Sequence, residues 1–300
     1  MNIGLVFPQT EIGNDPAAIR DYAQAAEGLG FSHVLAYDHV LGALPTPENI
    51  RRNEYEGHWR GPYTQEHAFH EPFVLFAFMA GLTTRLGFAT GILVLPQRRA
   101  QLVAKQAAEL DILSGGRLRL GVGVGWNKVE IAALGENPEN RGQRMDEQLE
   151  VLVRLWTEEV VRLDGKFHHL PDVGINPLPV QRPIPLWFGG HASEVMRRVA
   201  KYGGGWMPGF RQGDQAREWL GQLEVELAAA GRTRDQIGIE ARLIYGDGDP
   251  AKWRMTLDGW RAEGADYFSL NTMGLGFATP SAHLAAMERF AEEMGVGGLL

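Results

Sequence analysis

The sequence predicts an α/β fold: a single (β/α)8 TIM barrel that forms one domain over residues 1–300. Eight short apolar runs alternate with segments whose apolar residues follow helical spacing, which is the pattern of repeated β/α units. A length of 300 residues is normal for one barrel of this kind. No linker, block of like charge, low-complexity tract or internal repeat divides the chain, so we expect a single domain.

The predicted strands begin near residues 2, 32, 86, 117, 185, 205, 237 and 266. The clearest unit lies in the centre, where the apolar runs 85–95 and 117–124 flank a helical pattern over 101–113. Strand, helix and strand in this order predict a right-handed βαβ unit. Near the amino end, Asp15 followed by Pro16 is typical of the cap and the first position of a helix.

Two segments interrupt the alternation and are predicted to be insertions. Residues 40–70 follow the second strand, are rich in polar residues and contain Tyr55, Trp59 and Tyr63. Long loops in compact domains are commonly lids or binding loops, but these aromatic side chains equally suit packing against the barrel rim. Residues 160–184 precede the fifth strand, where an Asp-Gly-Lys turn predicts a small hairpin and several prolines predict an extended crossing.

Composition restricts the classes of partner and of chemistry. The formal net charge of −8, without a cluster of Lys or Arg, argues against a nucleic-acid surface. The chain has no cysteine, which excludes disulfides, thiolate nucleophiles and cysteine-ligated metals. The first residues, MNIGLVFPQ, lack the features of a signal peptide, and no apolar run reaches the length of a membrane span. We therefore expect a soluble, cytoplasmic protein.

Small residues stand where two neighbouring predicted strands end. Thr90 and Gly91 lie at the end of the first strand of the central unit, and Gly123 and Gly125 lie at the end of the second. Ligands of α/β barrels bind at the carboxyl ends of the strands, and small residues let a planar ligand lie against the backbone. Alternatively, the glycines only permit close packing. On spacing alone the two interpretations are equally supported.

Polar candidates lie at two further strand ends. Asp38 and His39 follow the second predicted strand, where an imidazole can exchange a proton near neutral pH and a carboxylate can orient it or contact a cofactor. A structural contact to the backbone is the alternative role of His39. The run GGHAS at 189–193 joins a strand to a helix, where free N–H groups bind phosphate and where Ser193 can cap the helix.

Other types of site find little support in the sequence. The glycines at 121, 123 and 125 lack the spacing of the dinucleotide-binding fingerprint, which disfavours a Rossmann dehydrogenase. The histidines lack helix-based ligand spacing, so no metal site is predicted. There is no G-x-S-x-G elbow and no S-x-x-K pair, which disfavours a nucleophilic hydrolase.

Five segments, in order along the chain, resemble the luciferase-like monooxygenase superfamily. They are NIGLVFPQ, GFSHVLAYDHV, the central LGFATGILVLPQRRAQLVAKQAAELDILSGGRLRLGVGVGWNKVEIAALG, PIPLWFGGHASEVMRRVAKYGGGWMP and GADYFSLNTMG. Together they cover nearly the whole chain, and the central segment is the most specific. Members of this superfamily are (β/α)8 barrels that use FMN or the deazaflavin coenzyme F-420, and the chain is most similar to the F-420-dependent oxidoreductases.

The resemblance implies hydride transfer between F-420 and a small organic substrate, in a homodimer. The alternative within the superfamily is an FMN-dependent monooxygenase that receives reduced flavin from a partner reductase. A barrel that binds flavin without catalysis is the alternative from another class, and the presence of His39 argues against it. F-420 has an acidic tail, so the first case requires a basic groove, to which Arg51, Arg52, Lys128 or Arg211 would contribute.

The same resemblance implies roles for individual residues. His39 would serve in proton transfer, Asp38 would lie against the ring edge or the polar tail, and Gly91-Ile92 would be a non-prolyl cis peptide behind the ring. The remaining cofactor-binding candidates are Thr90 beside that peptide, Val124, Gly125 and Trp126 at the ring border, and Gly189, Gly190 and His191 at the phosphate. Trp126 replaces the glutamate of the superfamily's sugar-phosphate dehydrogenases, which suggests a more apolar or aromatic substrate.

Overall fold

The computed structural model describes residues 1–53, 63–209 and 213–297. It confirms the (β/α)8 barrel, because eight parallel strands form a closed sheet and each is followed by at least one helix. The barrel strands are β1 (Asn2–Val6), β2 (His33–Ala36), β3 (Gly87–Thr90), β5 (Leu118–Gly123), β8 (Leu186–Gly189), β9 (Gly203–Met207), β10 (Gly238–Ile244) and β11 (Tyr267–Asn271). Three further strands are β4 (Leu93–Val94), β6 (Val161–Asp164) and β7 (His169–Val173).

Lateral pairing closes the barrel in the order β3–β2–β1–β11–β10–β9–β8–β5. The strand β5 then pairs with β3, with Phe88 opposite Leu118 and Ala89 opposite Arg119. Each barrel strand therefore lies beside the next one along the chain, and β1 meets the last strand, β11. Because all neighbours are parallel, the carboxyl ends of the eight strands share one face of the barrel.

Helices accompany the strands along the described chain. They are α1 (Pro16–Gly28), α2 (Pro47–Asn53), α3 (Pro72–Ala80), α4 (Ala100–Ser114), α5 (Lys128–Ala133), α6 (Arg141–Thr157), α7 (Ser193–Tyr202), α8 (Asp214–Ala229), α9 (Pro250–Ala262) and α10 (Pro280–Met294). The predicted start of α1 is confirmed, because the Asp15 carboxylate accepts the Ala17 N–H at 2.9 Å and Pro16 is the first helical residue. None of the described helices has the length and apolar character that a membrane span needs.

Two predicted strands differ from the structure. The apolar run 85–95 is not one strand but two, β3 and β4, separated by Gly91 and Ile92. Apolar periodicity does not reveal this interruption, since both halves of the run are buried. The strand predicted near residue 205 begins earlier, at Gly203, directly after the last residue of α7.

The two segments predicted as insertions differ in content. After β2 the chain forms the short helix α2, and the described chain resumes at the buried Tyr63. Tyr55 and Trp59, predicted to belong to the same loop, lie outside the described residues. The hairpin predicted before the fifth barrel strand is confirmed, because β6 and β7 pair antiparallel, with Asp164 opposite His169.

A buried polar cluster fills the amino-terminal part of the barrel interior. Glu240 of β10 accepts a hydrogen bond from Arg119 at 2.9 Å and lies 2.9 Å from His33 Nε2. The Arg119 guanidinium lies 4.5 and 4.3 Å from the ring centroids of Trp187 and Tyr267. Burial alone would raise the pKa of Glu240, but the charges of Arg119 and His33 outweigh it and hold that pKa well below its usual value. This cluster forms the floor of the interior, opposite the carboxyl ends.

Candidate active site

A cavity of about 710 Å³ opens at the carboxyl ends of the barrel strands. This is the face on which (β/α)8 barrels bind their ligands. The cavity wall combines the rings of Phe69 and Trp126 with polar side chains. Six of the predicted site residues contribute to it: Asp38, His39, Gly91, Ile92, Gly125 and Trp126.

His39 lies three residues after the end of β2 and lines this cavity. Its ring packs against the rings of Tyr63, Phe69 and Trp126, with centroid distances of 3.6, 4.9 and 6.2 Å. The side chain keeps 13% of its exposure, so most of the imidazole is enclosed while part of it faces the cavity. A histidine in this position can exchange a proton with a ligand in the cavity.

A buried carboxylate that the sequence did not single out orients His39. Glu130 of α5 places Oε2 3.1 Å from His39 Nδ1, and the Tyr63 hydroxyl donates to the same oxygen at 2.8 Å. The Tyr63 hydroxyl also lies in hydrogen-bond contact with Nδ1. Because Nδ1 is occupied by these two partners, Nε2 is the ring nitrogen left for the cavity.

The second oxygen of Glu130 joins the loop after β2 to the segment after β4. Oε1 accepts the Val40 N–H at 2.6 Å and the Gln97 side-chain amide at 3.2 Å. Burial alone would raise the pKa of Glu130, but hydrogen bonds from His39 and Val40 outweigh it and lower that pKa. Burial raises the pKa of the Tyr63 hydroxyl. At neutral pH, Glu130 is therefore an ionised acceptor and Tyr63 a protonated donor.

Local sequence explains how Glu130 reaches this position. Asn127 caps α5 by accepting the Glu130 N–H at 3.1 Å, which fixes the glutamate in the first turn of the helix. Asn127 Nδ2 also donates to the Tyr63 hydroxyl at 3.1 Å, and Asn53 Nδ2 donates to Asn127 Oδ1 at 2.9 Å. The signal available in the sequence was a glutamate within the short apolar helix KVEIAA, directly after a strand end.

Asp38, predicted to contact a cofactor, is bound to the protein through both carboxylate oxygens. Oδ1 accepts from Arg98 Nη2 at 2.6 Å, and Oδ2 accepts the Val94 N–H at 2.8 Å. Arg98 also donates to Glu71, the cap of α3, at 2.9 Å. Asp38 therefore holds the segment that follows Ile92, and its contact with a cofactor stays a prediction.

The peptide bond between Gly91 and Ile92 is cis, which confirms the expectation from the resemblance. Glycines on the neighbouring strands make room for the Ile92 side chain. A Cβ on Gly123 would lie 2.8 Å from Ile92 Cδ1, and a Cβ on Gly189 would lie 2.6 Å from Ile92 Cγ2. Close packing around Ile92 is thus one role of these two glycines, and the side chain that they accommodate itself lines the cavity.

Two other predicted cofactor contacts are engaged in the barrel wall. Thr90 is fully buried, and its hydroxyl donates to the Gly121 carbonyl at 2.6 Å, so the hydroxyl is used within the sheet. Val124 is half-buried and packs against the core. The positions next to them, Gly91 and Gly125, reach the cavity instead.

The predicted phosphate residues, Gly189, Gly190 and His191, end β8 and lead into α7. Gly190 has φ of 106°, a conformation that favours glycine. The residue before α7 is Ala192, which provides no side-chain cap, so capping by Ser193 is not observed. At the start of α7 the Val195 N–H donates to the Ala192 carbonyl at 2.9 Å, and the Glu194 carboxylate accepts its own backbone N–H. Phosphate binding by residues 189–191 stays a prediction.

Three of the four basic residues predicted to form a groove are described. Arg51 and Arg52 lie in the last turn of α2, which packs against α5, the helix that begins with Lys128. Arg52 pairs with a glutamate of its own helix at 2.8 Å, and Lys128 pairs with Glu139 at 2.9 Å. Both ion pairs are exposed, so each contributes little and an anionic ligand can compete for it. Arg211 lies outside the described residues.

In this barrel a buried carboxylate orients a histidine at the open face. Such a site is suited to exchanging a proton with a bound small molecule. The family model described as luciferase-like monooxygenase matches residues 1–293, and the chain belongs to this family. The resemblance found in the sequence is thereby confirmed.

Three relatives illustrate the range of the family. The chain is 35% identical over 211 residues to an uncharacterised protein of Mycobacterium tuberculosis, covering 70% of this chain and 72% of that one. It is 30% identical to the F-420-dependent glucose-6-phosphate dehydrogenase of Intrasporangium calvum, covering 78% of this chain and 67% of the relative. It is 31% identical to the FMNH(2)-dependent dimethylsulfone monooxygenase of Pseudomonas putida, covering 59% of this chain and 50% of the relative. The named relatives are oxidoreductases, which supports an enzymatic function.

Solved structures share the fold. The monooxygenase RslO1 of Streptomyces bottropensis has a TM-score of 0.80 at 21% identity, covering 99% of this chain and 100% of the other. An F-420-dependent secondary alcohol dehydrogenase, solved with an F-420-acetone adduct, has a TM-score of 0.74 at 16% identity, covering 98% of each chain. At these identities the similarity supports the barrel architecture and not a particular substrate.

Proposed function

We propose that this protein is an oxidoreductase that transfers hydride between coenzyme F-420 and a small organic substrate at the open face of the barrel. The observation that carries the proposal is the cluster of His39, Glu130 and Tyr63, in which a buried carboxylate 3.1 Å from Nδ1 orients a cavity-lining imidazole. A barrel that only stored a flavin would not need a histidine oriented in this way. The cluster therefore argues against a non-catalytic carrier.

The residues around the cavity fit a flat, tricyclic cofactor. The wall formed by Gly91 and Ile92 suits the face of a ring, and Phe69 and Trp126 add aromatic surface. The uncapped amino terminus of α7 would hold the phosphate, and the basic residues of α2 and α5 would meet the acidic tail. When bound, the deazaflavin ring supplies a carbon centre that gives or accepts hydride.

The chain's own residues would orient the ligand and move a proton. Glu130 accepts from His39 Nδ1, which selects the tautomer in which Nε2 is free to act on the ligand. His39 Nε2 would exchange the proton that accompanies hydride transfer, and the negative charge of Glu130 would stabilise the imidazolium form. Phe69 and Trp126 would exclude water from this side of the ring.

The choice of F-420 over FMN rests on the subgroup resemblance and on the relatives. The F-420-dependent relative matches 78% of this chain, whereas the FMNH(2)-dependent relative matches 59% at nearly equal identity. The second candidate function is an FMN-dependent monooxygenase served by a partner reductase. The observation that favours it is the similarity to the FMNH(2)-dependent relative.

The two candidates differ in their need for oxygen. The test follows the oxidation of reduced F-420 under anaerobic conditions with a panel of small ketones, enones and imines, for the wild type and for His39→Asn. Our proposal predicts oxidation that depends on one of these substrates, needs no oxygen, and falls by about 10²- to 10⁴-fold in His39→Asn while F-420 remains bound. Turnover only with reduced FMN and oxygen would contradict it.

We also propose that the chain forms a homodimer. The helix α3 is apolar on all sides, and Val74 and Phe78, one turn apart, keep 68% and 42% of their exposure. On α4, which packs against α3, the side chain of Leu102 keeps 56% of its exposure. Exposed apolar side chains on these two adjacent helices support a protein–protein interface there.

A further inference from the structure

We infer that Arg242 forms an anion-binding subsite within the active-site cavity, and that the substrate is an organic carboxylate with an apolar body. The inference rests on the proposed function, because it takes this cavity as the place where the substrate binds. It adds a substrate class, to which neither the family nor the relatives assign this chain.

Arg242 reaches the cavity from the wall formed by β10. It lies two residues after Glu240, whose carboxylate points into the barrel interior towards Arg119 and His33. Side chains alternate along a strand, so Arg242 also points inward, one layer closer to the open face. It is exposed, and it lines the same cavity as His39.

Arg242 differs from the other arginines near the interior because it has no carboxylate partner in the described part of the chain. Arg98 is paired with Asp38, and Arg119 with Glu240. The remaining acid of the cavity wall, Glu11, accepts the Gly274 N–H at 2.8 Å and lies 3.2 Å from His283 Nε2. Among the described residues, no carboxylate of the cavity wall therefore contacts the guanidinium that Arg242 presents to the cavity.

The ring of Tyr37 holds the guanidinium in place without neutralising it. The Arg242 Cζ atom lies 4.9 Å from the Tyr37 ring centroid, a cation–π distance. Burial raises the pKa of Tyr37, so its hydroxyl stays protonated and uncharged. A contact with a ring occupies none of the guanidinium N–H groups with an acceptor atom, and two of these groups match the two oxygens of a carboxylate.

The surroundings of Arg242 favour a monoanion with an apolar body. Asn271, on the adjacent strand β11, lines the cavity and uses Oδ1 to accept the Met273 N–H at 2.9 Å, which leaves its side-chain N–H₂ as a second donor. Met273 and Trp126 supply apolar surface in the same cavity. One guanidinium balances the single charge of a carboxylate, whereas a phosphate dianion would call for further cations.

The test compares matched acids and amides on the purified protein. Benzoate, cinnamate and hexanoate are titrated against benzamide, cinnamamide and hexanamide by ligand-observed NMR, with wild type, Arg242→Gln and Arg261→Gln. The control residue Arg261 lies on the exposed side of α9, outside the cavity. Arg261→Gln therefore removes one positive charge, as Arg242→Gln does, but leaves the cavity unchanged. We expect at least one acid to bind about tenfold or more tightly than its amide, and to lose that preference in Arg242→Gln only.

Three outcomes would overturn the inference: no acid binds at millimolar concentration, acids and amides bind equally, or Arg242→Gln keeps the preference for the acid. F-420 and FMN are titrated against the same variants. If Arg242→Gln loses cofactor binding instead of acid binding, Arg242 is a cofactor ligand and the inference is wrong. If the wild type binds the acid but neither cofactor, the proposed function fails while the anion subsite stands.

Discussion

At the scale of single residues, the carboxylate of Glu130 decides which nitrogen of His39 is left for a ligand. His39 could be predicted from the sequence because it directly follows a strand end of a barrel. Glu130 and Tyr63 could not, because they lie 91 and 24 residues from His39 and meet it only through the fold. Sequence position thus identifies the group proposed to act on the ligand more readily than the groups that orient it.

Replacing Glu130 with glutamine tests this orientation. Glu130→Gln keeps the shape of the side chain but removes the negative charge that supports a protonated imidazole. Since a well-placed acid or base contributes about 10²- to 10⁴-fold, we expect kcat to fall by at least about tenfold. The measurement is steady-state oxidation of reduced F-420 over a range of pH.

The matched control is Glu288→Gln, which removes an exposed carboxylate of α10 outside the lining of the cavity. It should leave kcat and its pH profile unchanged. If Glu130→Gln weakens F-420 binding and leaves kcat intact, Glu130 acts on the structure of the site and not on His39.

At the scale of elements, a single carboxylate joins α1 to the start of β3. Glu27 Oε2 accepts the N–H groups of Thr84, Arg85 and Leu86 at 2.9, 2.6 and 2.8 Å. Burial acts to raise the pKa of Glu27, but these hydrogen bonds outweigh it and lower that pKa. The ionised form is therefore favoured in the folded state, which links this contact to the dependence of stability on pH.

We expect Glu27→Gln to reduce the free energy of unfolding at pH 7 by about 1 kcal/mol, a low value because water reaches the carboxylate. The folded-state pKa lies below the unfolded value of about 4.3, so the contribution is complete above that pH and is lost as the pH falls. Urea titrations should show the difference from wild type narrowing below about pH 4.3. A difference in the free energy of unfolding that does not depend on pH would contradict this explanation. The control is Glu288→Gln, which changes an exposed glutamate.

Periodicity predicted the repeated units well but not the interruptions within them. The central βαβ unit was recognisable because its strands are buried and its helix has an apolar face. The break at Gly91 and Ile92 was hidden, since the residues on both sides of it are apolar and buried. It entered as an expectation only through the resemblance, and the structure confirms it. Arg242 was also missed, because a lone arginine in a strand carries no local signal.

At the scale of the whole molecule, the exposed apolar face of α3 predicts association. Val74→Glu combined with Phe78→Glu places two charges on this face, so we expect the proposed homodimer to dissociate, as measured by light scattering. Val225 of α8 has the same 68% exposure as Val74, and Val225→Glu is the matched control that should remain dimeric. A wild-type protein that is monomeric, or a double variant that stays dimeric, would show that this face is not the interface.

The central claim, an F-420-dependent oxidoreductase, is tested most directly by a fluorescence titration of the purified protein with oxidised F-420 and with FMN. We predict micromolar or tighter binding of F-420 and much weaker binding of FMN. The reverse preference would contradict the claim and favour the FMN-dependent monooxygenase. Binding of neither cofactor would contradict both.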